Sequence, residues 1–192
     1  SRSALERELE VLKEAERLGY TLQPGVLQNG LNYLKQAFQS AQDNEAKTYL
    51  LYTLAVADEV DFAHVNRVYR ERNSLNTAGL ALLTLIYTEI DRPEIAAELL
   101  PLLQNRAKRL QDPATGKQTV YWLSDSPYTW LQGDVDTTAL ALLALQKADP
   151  KSALIPGIIE WLYSQRQWIG WGAMRTNARV SSTLLEHFSK TQ

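Results

Sequence analysis

Two carboxylates one residue apart, Asp134 and Asp136, head an apolar helical run, and their type and spacing could do chemistry. Carboxyls held that close share a proton, so one can stay an acid at neutral pH and serve as a general acid. The same residues also have a structural use. Asp, Asn, Ser and Thr accept from the free N–H groups at a helix start, and Thr137 and Thr138 follow in the expected first turn. An earlier stretch weighs between the two uses. Asn76-Thr77 precedes Leu80-Ala81-Leu82-Leu83 as Asp136-Thr137 precedes Leu140-Ala141-Leu142-Leu143, and it holds that place without a carboxylate. The sequence therefore favours an N-cap at Asp134 or Asp136, and no catalytic residue is assigned.

The other chemistry-bearing residue types are sparse. The chain of 192 residues has no cysteine, hence no disulfide, thiolate metal site or cysteine nucleophile. The two histidines, His64 and His187, stand apart and cannot build a histidine-rich metal centre. His64 is expected to be solvated on a polar helix. His187 falls near a helix C-terminus, where a charged imidazole is favourable. No metal or cofactor is expected. The net charge is −2 with no basic stripe, which argues against a nucleic-acid partner. No apolar run approaches the roughly 20 residues that span a bilayer, so direct membrane insertion is not expected. Tyr121, Trp122, Tyr128 and Trp130 form a candidate contact face, since tyrosine and tryptophan favour interface centres; the alternative, favoured here, is packing of an insert onto the helical rim. Trp168 and Trp171, with Gly170 and Gly172 allowing sharp turns, are further candidates for such a face or for a plug at one end of the domain.

The elements that would position these residues alternate in character. Segments 3–18, 46–57, 75–88, 135–147 and 177–189 read as inward helices, the middle three apolar on nearly every side. Segments 24–39, 61–71, 92–110 and 151–165 carry one apolar stripe each and read as outward helices. On 24–39 the stripe is Val26, Gly30, Tyr33, Leu34, Ala37 and Phe38. Pro101 should kink or split 92–110. Between 112 and 133 lies an insert in which Thr119–Leu123 and Tyr128–Leu131, flanking Ser124-Asp125-Ser126-Pro127, could form a small hairpin. A helix apolar all round must be covered all round, and each buried leucine is worth roughly 1.5–3 kcal/mol. Covered helices alternating with one-sided ones suit an inner layer wrapped by an outer one, in a single domain over residues 1–192. A straight solenoid is the competing arrangement.

The run Val65-Asn66-Arg67-Val68-Tyr69-Arg70-Glu71-Arg72-Asn73-Ser74-Leu75, followed by Gly79-Leu80-Ala81-Leu82-Leu83, resembles the thioester-containing domain of bacterial α2-macroglobulins. So do Val135-Asp136-Thr137-Thr138-Ala139-Leu140-Ala141-Leu142-Leu143-Ala144-Leu145, and Trp161-Leu162 with Gln165-Arg166-Gln167 and Gly170-Trp171-Gly172. The likeness extends from about Leu12 to Phe188. It departs at Arg175-Thr176-Asn177-Ala178-Arg179-Val180-Ser181-Ser182, where the family has small polar residues ending in threonine. The resemblance implies an all-α fold, an α/α toroid of six helical hairpins with two concentric layers, like terpenoid cyclases and prenyltransferases. Nine helical segments are read here, so the toroid would be incomplete, mostly at its N-terminus, where the family carries its Cys-x-Glu-Gln thioester motif. The start at Ser1-Arg2-Ser3, with Met174 the only methionine, reads as an excised piece of a longer protein.

The function implied is a non-enzymatic part of a protease-trapping inhibitor, outside the cytoplasm. Its partners would be other domains of the parent chain and, through the parent, target proteases. Two alternatives stay open. Asp134-x-Asp136 resembles the Asp-x-Asp-Asp-Thr acid motif of terpene cyclases, which protonates an alkene; here Thr137 replaces one of its carboxylates. A plain helical scaffold for protein contacts is the third reading.

Overall fold

The computed structural model describes residues 25–126 and 133–166. Seven α-helices and one two-stranded sheet make up these residues, in the order α1 Val26–Ser40, α2 Asn44–Val56, α3 Phe62–Arg70, α4 Thr77–Glu89, α5 Pro93–Gln104, β1 Lys108–Gln111, β2 Gln118–Tyr121, α6 Gly133–Ala148 and α7 Ile155–Arg166. A single 3-10 turn, Arg72–Ser74, leads into α4. The expected helices at 3–18 and 177–189 lie outside the described residues, as does the Trp168–Gly172 loop.

α4 is the centre. Every residue from Thr77 to Tyr87 is buried, as its apolar circumference requires. It packs against α2 and α6, and also touches α3 and α5. The one-sided helices lie against this row: α1 on α2, α3 on α2 and α4, α5 on α4 and α6, and α7 on α6. The main core gathers Leu80, Leu83 and Ile86 of α4 with Leu99 and Leu103 of α5, Leu142 and Leu145 of α6, and Ile158 of α7. A smaller cluster joins Leu31, Leu34 and Ala37 of α1 to Leu50 and Leu54 of α2. The stripe of α1 is thus rotated from the expected one: Leu31 is buried, while Val26 and Tyr33 are each 42% exposed.

The ends of α2 and α4 are built alike. Asp43 accepts from Ala46 N and Asn76 from Gly79 N, both at 2.9 Å, each capping its helix. Past the other end, Asp58 and Asp91 take left-handed φ values of 56° and 58°. There Glu59 N donates to Leu54 O at 2.9 Å, and Arg92 N to Tyr87 O at 2.7 Å. Both are Schellman closures, a position usually given to glycine. α2 and α4 therefore share their caps and their stops, while the leucine repeat of the sequence relates α4 to α6.

One expectation is corrected around the insert. The helix expected over 92–110 ends at Gln104, and Pro101, exposed near its last turn, does not split it. Residues 108–111 form β1 instead, and Gln118–Tyr121 pair antiparallel with them in the register Lys108↔Tyr121 and Gln111↔Gln118; Tyr128–Leu131, the second arm of the expected hairpin, lie outside the described residues. The turn between the strands is set by Asp112, which accepts from Ala114 N at 2.8 Å, and by Gly116 at φ 69°. The hairpin lies on α7, with Tyr121 stacked on Trp161 at 4.9 Å between ring centroids. At Gly157 a Cβ would stand 3.0 Å from Val120 Cγ2, so α7 can approach the strand this closely only with glycine there.

Candidate functional site: a strap across three helix ends

After β2 the chain runs through Trp122–Ser126 and crosses the amino-terminal ends of α6, α4 and α2 in turn. Trp122 N donates to Thr138 Oγ1 at 2.9 Å and Ser124 N to Asp134 Oδ1 at 2.7 Å, both on α6. Asp125 accepts from Thr77 N at 3.1 Å and from Thr77 Oγ1 at 3.2 Å, on α4. Ser126 Oγ donates to Glu45 Oε1, on α2. Each of the three helices presents a hydroxyl, amide or carboxylate from its first turn, and the strap answers each one. Arg106 ties the strap to the entrance of α4, with Nη2 donating to Leu75 O at 2.7 Å and Nη1 standing 3.6 Å from Asp125.

Trp122 anchors the near end. It is completely buried, and its indole N–H donates to Leu103 O at 2.8 Å. Its side chain has no accessible surface and packs within this chain, which is the use the sequence favours for it over a contact face. Tyr121 is half-buried against Trp161. Tyr128, Trp130, Trp168 and Trp171 lie outside the described residues.

The expected N-cap on α6 is also corrected. This helix begins at Gly133, which carries a left-handed φ of 77°, so Asp134 and Asp136 sit inside the first turn. Asp134 accepts the Ser124 N–H of the strap, and Asp136 is buried. Thr137 does not repeat the role of Thr77: its hydroxyl donates back to Gly133 O at 3.2 Å, whereas that of Thr77 reaches Asp125. Carboxylates at these helix ends meet the positive end of the backbone dipole, a favourable place for negative charge. The pair Asp134 and Asp136 is held in that role.

The sequence reading did not single out Glu45. It lies in the first turn of α2 and is only 6% exposed. Its Oε2 accepts from Asn76 Nδ2 and its Oε1 from Ser126 Oγ. Burial pushes its carboxyl above the usual range; the bonds from Ser126 and Asn76 oppose the push, and the Asp43 and Asp125 charges add to it. A lone glutamate one residue into a helix is too ordinary to signal this, because the groups that bury it are distant in sequence.

His64 is only partly solvated: it is half-buried, with its ring 4.7 Å from that of Phe38. His187 lies outside the described residues. Among the described residues no group of three or more His, Cys, Asp or Glu side chains is placed to hold a metal ion, and no helix is long and apolar enough to cross a membrane. Comparisons with protein-family models, curated proteins and solved structures find no match to this chain.

Proposed function

We propose that the chain is part of the thioester-containing α/α toroid domain of an α2-macroglobulin-like protease trap, and that it acts by shielding and presenting chemistry held elsewhere in the parent protein. One observation carries this reading: the covered helices α2, α4 and α6 are neighbours whose first turns meet the same strap, while α1, α3, α5 and α7 lie on them from outside. Parallel inner helices with outer partners are what the first turns of a concentric ring demand. An end closed by Trp122 and by bonded carboxylates suits a wall that keeps water from a reactive bond, since buried polar groups bonded to one another leave no site for a solvent molecule to enter. A terpene cyclase or prenyltransferase-type site would ask instead for an aromatic-lined cavity at these ends. The buried side chains near the starts of α4 and α6 are Thr77, Ala78, Asp136, Thr137, Thr138 and Ala139; none is aromatic, which favours the shielding role.

The test is made on the parent protein. The reading expects a Cys-x-Glu-Gln motif encoded upstream and a covalent adduct, visible on a denaturing gel, after incubation with a protease. Prior treatment with a small amine, which opens a thioester, should abolish the adduct. A reading frame closed at about this length, or a parent that carries the motif and forms no adduct, would overturn it.

A further inference from the structure

We propose that the outer edge of β1 is a docking site for an extended segment of another protein, which adds to the hairpin as a third strand and carries two successive acidic residues after an apolar one. The inference goes beyond the protease-trap reading and does not depend on it, because it concerns only the hairpin at Lys108–Tyr121.

The pairing of the hairpin decides which backbone groups are left over. In an antiparallel ladder, successive residues alternate between directing their N–H and C=O at the partner strand and directing them away. Asp112 N donates to Lys117 O at 2.8 Å, and the hydroxyl of Thr119 donates to Leu110 O at 2.9 Å. Asp112 and Leu110 therefore turn their backbone toward β2, and Lys108, opposite Tyr121, follows by the same alternation. Arg109 and Gln111 are left with N–H and C=O groups directed outward. Among the described residues nothing bonds to these four groups, and all of Lys108–Gln111 is exposed. Such an edge is a template for another strand: the main chain supplies affinity and the alternating side chains supply specificity.

Charge selects the occupant. Lys108 and Arg109 stand side by side on the edge, and neither has an ion-pair partner among the described residues. The nearby acids are in use: Asp112 accepts from Ala114 N at 2.8 Å in the turn, and Glu160 holds Lys117 at 2.8 Å. Leu110, next along the strand, is 52% exposed. A strand lying antiparallel on β1 sets one residue opposite Leu110, the next opposite Arg109 and the next opposite Lys108. Opposite charges across a sheet favour pairing and like charges oppose it, so the segment that fits reads apolar, acidic, acidic. Positive charge guards an edge against indiscriminate pairing; toward an acidic strand the same charge attracts. A second copy of this chain fits less well. Paired two-fold about Leu110, each Arg109 would face Gln111 and stay uncompensated.

The experiment is an NMR titration of the full chain with the end-capped peptide Ser-Thr-Val-Glu-Glu-Thr. At millimolar peptide the Arg109 and Gln111 amide signals should shift and become protected from exchange with water, while the Leu83 amide in the middle of α4 is unchanged. Replacing both glutamates of the peptide by glutamine, or raising the salt concentration, should weaken binding several-fold. Methylating the nitrogen of the first glutamate, which would face Arg109 O, should abolish the protection; methylating that of the second, which would face away, should not. Lys108→Glu together with Arg109→Glu, two exposed changes that leave the core untouched, should reverse the preference toward a peptide with lysines in place of the glutamates. No shift with any of these peptides overturns the proposal, as does equal binding of the glutamine peptide or indifference to which nitrogen is methylated. Arg109 and Gln111 amides already protected in the peptide-free chain, or signals that move with protein concentration, would assign the edge to this chain itself or to a second copy and overturn it too.

Discussion

Thr138→Val removes one oxygen from the junction of strap and helix and leaves the side-chain shape nearly unchanged. The hydroxyl of Thr138 accepts from Trp122 N at 2.9 Å and donates to Trp122 O at 3.3 Å. Both residues are fully buried, so neither backbone group of Trp122 has water to turn to. The indole stays pinned by Leu103 O at 2.8 Å, which prevents the strap from sliding to find new partners. An unsatisfied buried donor costs about 1–3 kcal/mol, and the longer carbonyl bond adds little to that. In a chain of this size the loss corresponds to a fall in Tm of roughly 2–12 °C. Thr138→Ser keeps the hydroxyl and should recover most of the loss, apart from about 1 kcal/mol for the missing methyl. Urea unfolding of the three proteins, followed by tryptophan fluorescence, measures the differences. If Thr138→Val lies within about 0.5 kcal/mol of the native chain, the strap is not held at α6 by this hydroxyl.

Three further outcomes follow from the same geometry. Asn76→Ala should cost about 1–3 kcal/mol, more than an exposed cap, because it uncaps Gly79 and takes a donor from buried Glu45; Asn76→Asp keeps the cap acceptor but sets two carboxylates together, so its urea midpoint should be lower still at neutral pH and recover in acid. Asp91→Ala should lose about 1 kcal/mol in the left-handed C′ position while Asp91→Gly loses nothing, and equal losses by urea unfolding would show that backbone conformation is not what matters there. The buried phenol of Tyr87 is pushed up to about 12. An unfolded tyrosine ionises near 10, so the folded state holds a proton the unfolded state has released, and stability present below about pH 10 is lost as pH rises toward about 12. Tyr87→Phe should flatten that alkaline limb in unfolding measured at successive pH values; an unchanged limb would place the loss elsewhere.

What could be read from the sequence and what could not divide along a physical line. The seven described helices were legible because burial writes itself into local composition: α4 at Thr77–Glu89 and α6 at Gly133–Ala148 fall within two residues of the ranges expected from their leucines and alanines. The errors occur where a partner distant in sequence decides. Leu103, Ala107 and Leu110 keep a helical spacing, yet Lys108–Gln111 leave the helix because Gln118–Tyr121 offer a ladder and Asp112 with Gly116 make the turn; tertiary pairing outweighs local propensity in so short a segment. Asp136 and Asn76 match in sequence, but the helix behind one begins at Gly133 and the helix behind the other at Thr77, so one is buried in a first turn and the other is a cap. Glu45 is the sharpest case. Nothing within ten residues of it announces a buried carboxylate, since Asn76 and Ser126, which receive it, come from two other elements. Local pattern thus reveals which surfaces must be covered, whereas the groups that do the covering come together only where three helix ends and one strap meet. If the proposed ring is right, the same rule applies a level higher: the strap is built within this chain, and what it shields is contributed by another part of the parent.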